Sequence, residues 1–234
     1  KCRMAGLAPS CVVVVATGGL TMTYSETVAK DLLEIHAVTL SPDQPYTWAS
    51  GLHSPIYTDN RLTISYPKVR RAIYQGMTTL IKEHFTDVDV VAGTATAGIP
   101  HAAWVAEELG KPLIYVRSKP KDHGRGKQIE GVLTAGQRVV VIDDLISTGG
   151  SVLNAVRAVQ QAGGEVVGVI AVFSYQLPAA DQNFAAAGLN YYAVTNYPTL
   201  INVAKEDGLI SAAHLSSLQD WRQDPAAWSA QHAN

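Results

Sequence analysis

From Pro67 onward, apolar runs of strand length alternate with segments of helical period, which restricts the chain to an α/β fold with a parallel sheet covered by helices. The pattern predicts helices over 66–84, Gly98–Leu109 and 151–162, the second closing on Gly110 and the third on Gly163 and Gly164. Buried strands are predicted over 88–92, 112–116, 137–142 and 166–173, rich in Val, Ile and aromatic residues. A further helix over 178–187 and a strand over 190–194 continue the alternation, and 211–234 reads as a helix followed by a loose tail. No internal repeat or low-complexity tract interrupts it. Between the second and third strands lie residues 117–136, with four glycines and one proline, longer and more polar than an ordinary connection.

The beginning of the chain follows different rules. The apolar run 11–16 is shorter than the roughly 7–15 residues of a signal-peptide core and far short of the roughly 20 a membrane span needs. Residues 1–21 are therefore expected to be a non-native or disordered extension, with Met22 as a plausible start. One domain is expected over 22–234, its N-terminal elaboration occupying about 22–65. Its first helix carries Val28, Leu32, Leu33 and Ile35 on one face, with Ser25 expected as N-cap.

Composition narrows the function. A hydrophobic content of 47% with 16% charged residues is that of a chain able to bury a core. A formal net charge of −2 argues against a nucleic-acid-binding surface, so any anion site must be local. Only Cys2 and Cys11 are cysteines, which excludes a disulfide framework or a cysteine-rich zinc module and is compatible with a reducing, cytoplasmic setting; no membrane partner is expected.

The chemistry concentrates in 139–151, where an apolar strand delivers Asp143 and Asp144, then Leu145, Ile146, Ser147, Thr148, Gly149, Gly150 and Ser151 at a helix start. Ligands of open parallel sheets bind beyond the carboxyl ends of the strands, where the amides and dipole of a following helix favour an anion. Glycines allow close backbone approach, and the hydroxyls of Ser147, Thr148 and Ser151 can also donate. Two carboxylates would repel a phosphate, so they suit sugar hydroxyls or a hydrated divalent cation. A sugar phosphate satisfies both halves. Neither the Walker A order nor a dinucleotide-binding glycine fingerprint is present.

An apolar strand, an acidic pair and a hydroxyl- and glycine-rich turn resemble the hallmark of the type I phosphoribosyltransferase family, which binds phosphoribosyl pyrophosphate there. The segment 117–131 packs five of the 18 cationic residues into 15 positions, and its Lys121, Asp122, His123, Gly124 and Gly126 look like the catalytic loop of orotate phosphoribosyltransferases in particular. Residues 50–61 resemble that family's hood over the pyrimidine, and 93–101 its pyrophosphate-side turn. The resemblance runs from about residue 24 to 176.

It implies the parallel-sheet phosphoribosyltransferase (type I) fold with a small N-terminal hood. It also implies transfer of a 5-phosphoribosyl group to orotate in pyrimidine synthesis. Lys121, His123, Asp143 and Asp144 correspond to catalytic positions; Arg117 joins Lys121, His123 and the stretch from Asp143 to Ser151 in binding phosphoribosyl pyrophosphate. Ser147 corresponds to a position that also touches orotate. The implied cofactor is Mg²⁺, held mainly through substrate, with Asp143 and Asp144 as its protein-side candidates. The implied assembly is a homodimer with shared active sites. Well-known bacterial members carry Lys where Ala49, Ala97 and Ser118 stand, and Arg, facing the orotate carboxylate, where Tyr175 stands. Arg61 or hood amides are expected to replace that Arg. A phosphoribosyltransferase for another nucleobase, or a non-catalytic sensor of phosphoribosyl pyrophosphate, are the competing readings. The 58 residues after Gln176 are too few for a barrel domain of roughly 200 residues that would decarboxylate the product.

Overall fold

The computed structural model describes residues 15–17, 20–48, 51–119 and 128–232. Strands β1 (Val15–Thr17) and β2 (Leu20–Met22) pair antiparallel ahead of helix α1 (Tyr24–Glu34); residues 1–14, 18 and 19 of the expected extension lie outside the described residues. Thr23, not Ser25, caps α1. Its Oγ1 accepts from the Glu26 amide at 3.2 Å while Glu26 accepts from the Thr23 amide at 2.8 Å. Glu26 stands three residues after Thr23, so this pair closes a reciprocal box that Ser25 cannot form. The Ser25 hydroxyl instead faces Thr195 and Thr199.

Four short strands follow as two antiparallel pairs, β3 (Val38–Leu40) with β6 (Ile56–Thr58) and β4 (Tyr46–Thr47) with β5 (His53–Ser54). A 3-10 turn, Asn60–Ser65, then leads into α2 (Pro67–His84), whose first residue is a proline that costs no helical hydrogen bond there.

The alternation that follows is β7 (Val90–Thr94), α3 (Gly98–Leu109), β8 (Leu113–Val116), β9 (Ile129–Glu130), β10 (Arg138–Ile146), α4 (Gly150–Gln161), β11 (Glu165–Ser174), α5 (Pro178–Ala186) and β12 (Tyr191–Asn196). These strands form one sheet in the order β12-β11-β10-β7-β8-β9, parallel throughout except for β9, which runs antiparallel to β8. The short β9 lies inside the segment read from sequence as a single loop; two residues are too few to carry a periodic signal.

Burial on both faces explains the near-continuous Val and Ile runs. Along β10, Val140 and Ile142 join the core shared with α1, α2 and α3, while Val139 and Val141 join the core under α4 and α5. Three helices finish the chain: α6 (Tyr197–Glu206), α7 (Ala212–Gln223) and α8 (Pro225–Gln231). The loose tail expected after one C-terminal helix is thus a second helix up to Gln231. Asp224 caps it, Pro225 opens it and Trp228 is buried beneath it, so packing holds a stretch too short to show a period. The backbone amide of His53 donates to Ser229 Oγ at 2.8 Å, fastening β5 to α8.

Candidate active site

The acidic pair does not follow the strand, as its apolar run suggested, but lies inside it: β10 continues through Asp143 and Asp144 to Ile146. The reason is pairing, since Asp143, Leu145 and Ile146 remain in register with Ala171, Phe173 and Ser174 of β11. Successive side chains of a strand leave on opposite faces, yet at this strand end the two carboxylates stay close enough to perturb one another.

Asp143 is 7% exposed. Its Oδ1 accepts from the Thr94 hydroxyl at 2.5 Å and from the Asp144 amide at 2.9 Å. Burial, then the neighbouring Asp144 charge, pushes its carboxyl above the usual range, while the two donors pull the other way. Burial raises Asp144 as well, opposed by its hydrogen bonds and the charge of Arg61.

Gly98, opening α3, sits against this point. A Cβ there would lie 2.5 Å from Thr94 Oγ1 and 2.6 Å from the Ile142 carbonyl, so only glycine lets the 94–98 turn reach β10. The Ala95–Thr96 peptide within that turn is cis.

Ser147, Thr148 and Gly149 link β10 to α4. Gly149 takes φ +80 as N-cap residue, and no side chain caps the helix, which leaves the amides of the first turn to an incoming acceptor. Asn183 of α5 supports the turn by donating to the Thr148 carbonyl at 2.9 Å. Ser147 is half-buried, whereas Thr148, Gly150 and Ser151 are exposed.

Arg117 follows β8, its guanidinium 3.6 Å from Glu130. Its amide donates to the Gln128 carbonyl at 2.9 Å and its carbonyl accepts from Gln128 Nε2 at 2.7 Å. Lys121 and His123 lie outside the described residues. A cavity of about 240 Å³ brings together Thr94, Ala95, Arg117, Gln128, Ser151 and Asn154, whereas Asp143, Asp144, Ser147 and Thr148 are not part of its lining. Asn154 belongs to no charged or glycine-rich pattern, and Gln128 lies within the cationic 117–131 segment but is a neutral residue to which no role was assigned there. A larger cavity, about 320 Å³, lies along β12, with Tyr191, Tyr192, His84 and Asp181 among its lining. Among the described residues no Lys or Arg lines it, whereas Arg117 lines the smaller cavity, so charge chemistry favours the smaller one for a polyanion.

On the hood side, Arg61 is 68% exposed and grips Asp59 through Nε at 2.6 Å and a second nitrogen at 2.8 Å. Tyr175 is 3% exposed, among the rings of Trp48, Phe173, Tyr197 and Trp221, and burial pushes its phenol up to about 12.

Among the described residues, no group of three or more His, Cys, Asp or Glu side chains could hold a metal ion. The acidic pair alone suits an ion that arrives coordinated by phosphates and needs only one or two protein carboxylates, as Mg²⁺ does. No helix of the described residues is long and apolar enough to cross a membrane.

Residues 67–187 match the phosphoribosyl transferase domain family. The chain is 63% identical over 202 residues to the orotate phosphoribosyltransferase of Lactiplantibacillus plantarum, covering 86% of this chain and 95% of that protein. Leishmania donovani UMP synthase superposes with a TM-score of 0.72 at 29% identity; the match covers 85% of this chain and 42% of that longer one. The Mycobacterium tuberculosis orotate phosphoribosyltransferase in complex with 5-phospho-alpha-D-ribosyl 1-diphosphate gives 0.60 at 31% identity, over 76% of this chain and 98% of that one. An acid pair anchored within a central strand, beside an uncapped helix start, is thus the form the motif takes in a chain that belongs to the orotate phosphoribosyltransferase family.

Proposed function

We infer how this chain divides the work of orotate phosphoribosyl transfer among its residues. In that reaction the 5-phosphoribosyl group of phosphoribosyl pyrophosphate passes to N1 of orotate, giving orotidine 5′-phosphate and pyrophosphate in pyrimidine synthesis. The observation that carries the assignment is the meeting of Asp143 and Asp144 with the open amides of α4 at one end of the sheet.

The α4 start, with Ser147, Thr148, Gly149, Gly150 and Ser151, binds the 5′-phosphate away from the reacting carbon and uses that binding energy for orientation. Asp143 and Asp144 face the ribose, Asp143 held rigid by Thr94. Breaking the anomeric bond leaves positive charge on the ribose and extra negative charge on the departing pyrophosphate. Arg117, Lys121 and His123 stabilise that leaving group, the last two by resemblance to the family's loop. Asp143 and Asp144 are the side chains that would reach a Mg²⁺ arriving with the substrate, which would supply charge neutralisation for the departing pyrophosphate. Ser147 and Arg61 are assigned to orotate, Arg61 because its charge already acts toward Asp144. A cytoplasmic homodimer that shares loop residues between subunits completes the reading, supported by the family resemblance.

The direct test is the loss of orotate absorbance when the protein is mixed with orotate, phosphoribosyl pyrophosphate and Mg²⁺, with uracil, adenine, hypoxanthine and xanthine in parallel. Turnover confined to orotate is expected. Turnover with another base alone would keep the cradle and overturn the base assignment, and tight binding of phosphoribosyl pyrophosphate without turnover would identify a sensor.

A further inference from the structure

Asn60 opens the 3-10 turn that joins the hood to α2, and it is 1% exposed. Its Nδ2 donates to the backbone carbonyl of Asp144 at 2.7 Å, across 84 positions of sequence. The pairing of β10 with β7 reaches only Ile142, opposite Gly93, while β10 itself runs on to Ile146. The Asp144 peptide therefore lies past the last β7 pair, and the hood's amide takes up its carbonyl.

The orientation of this amide is dictated rather than incidental. Its Oδ1 is buried with no partner among the described residues. Leaving a buried acceptor unpaired is costly, and the side chain bears that cost while its donor end holds the Asp144 carbonyl. The Asn60 backbone is itself pinned, because its carbonyl accepts from Thr63 Oγ1 at 2.6 Å. Thr63 is fully buried and its hydroxyl lies 3.5 Å from Nε2 of His101, on the helix that opens at the 94–98 turn. Hood, acidic strand and pyrophosphate-side helix thus converge on one buried polar chain.

We propose that Asn60 is a positioning residue of the transfer reaction, fixing from the hood side the peptide that carries Asp144. This rests on the assignment of the acidic pair to the ribose. A reacting group must be held within a fraction of an ångström, and loss of that hold shows in the turnover number before it shows in substrate affinity. Asn60 touches no reacting atom in this scheme and acts through Asp144.

The test compares wild type with Asn60→Ala and with Asn60→Asp, which keeps the volume but replaces the donor by an acceptor. Turnover number, both Michaelis constants and thermal melting are measured for each. The expected result is a fall of about tenfold in turnover number for both variants, with the Michaelis constant for phosphoribosyl pyrophosphate within about threefold of wild type. A turnover number within twofold of wild type in either folded variant would overturn the proposal. So would a loss confined to the Michaelis constant for orotate, which would make Asn60 a hood residue only. If both variants fail to fold, Thr63→Val decides. It removes the bond that pins Asn60, and a wild-type turnover number there would equally overturn the idea. Should the wild-type protein turn over a base other than orotate, that base serves for the same comparison, so the two readings fail separately.

Discussion

The hydroxyl of Tyr175 donates to Thr58 Oγ1 at 2.9 Å, joining the residue after β11 to hood strand β6. Where well-known relatives carry an arginine for the substrate carboxylate, this chain thus has a buried strut between hood and sheet. Tyr175→Phe keeps the aromatic cluster and removes one hydrogen bond, so it is expected to lower stability by about 1 kcal/mol. Denaturant titration measures this. An unchanged midpoint would show that the bond contributes nothing to hood attachment.

Gly98→Ala places a methyl group against Thr94 Oγ1 and the Ile142 carbonyl, at separations of 2.5 and 2.6 Å that neither can relieve without moving. Overpacking of this kind costs about 1–3 kcal/mol. Because Thr94 also holds Asp143, turnover is expected to fall by more than tenfold even in the folded fraction. Steady-state kinetics alongside melting separate the two effects, and a folded variant with normal turnover would uncouple the turn from the acidic pair.

Asp143 links stability to pH. Its folded-state carboxyl is raised from 3.8 to about 7, so between those values the native state binds more protons than the unfolded chain. Stability on this account falls as pH rises through that window. His101 acts oppositely, since burial lowers its imidazole to about 4 and stability from this group rises with pH up to about its ordinary value of 6.5. Comparing Asp143→Asn with wild type cancels the histidine. The variant is expected to melt higher than wild type at pH 8, with the gap closing at pH 5, while turnover is lost. A gap equal at both pH values would refute the raised carboxyl.

Lys121→Ala is expected to lower the turnover number strongly, because orotate is already an anion near its reacting nitrogen and charge stabilisation of the leaving group dominates. Arg61→Ala is expected instead to raise the Michaelis constant for orotate. Unimpaired turnover in the first, or an unchanged constant in the second, would remove that residue from its assigned role.

Local signals in the chain were sufficient for the five parallel strands of the sheet but not for the short antiparallel β9. Helix α3 was legible to the residue because Gly110 stops it in the left-handed conformation at φ +61, and β10 and β11 were legible because burial on both faces demands continuous apolar runs. The helix α6 was not, since it starts directly after β12, on the cap Asn196 and with Pro198 at its start, without an intervening loop to mark it. Within the site, the acidic pair and the glycine-rich turn announced themselves by residue type and order. That Asp143 and Asp144 remain in the strand, and that Asp143 is buried under Thr94, depended on pairing with β11 and on the close approach of Gly98. Asn60 and Tyr175 carried no sequence signal of a link between hood and sheet. One is a single amide, the other a single aromatic, and each meets its partner across 84 and 117 positions respectively. Residue type and spacing encode what a segment can do locally, whereas contacts between distant segments exist only once the chain has folded and a burial cost forces each polar group to find its partner.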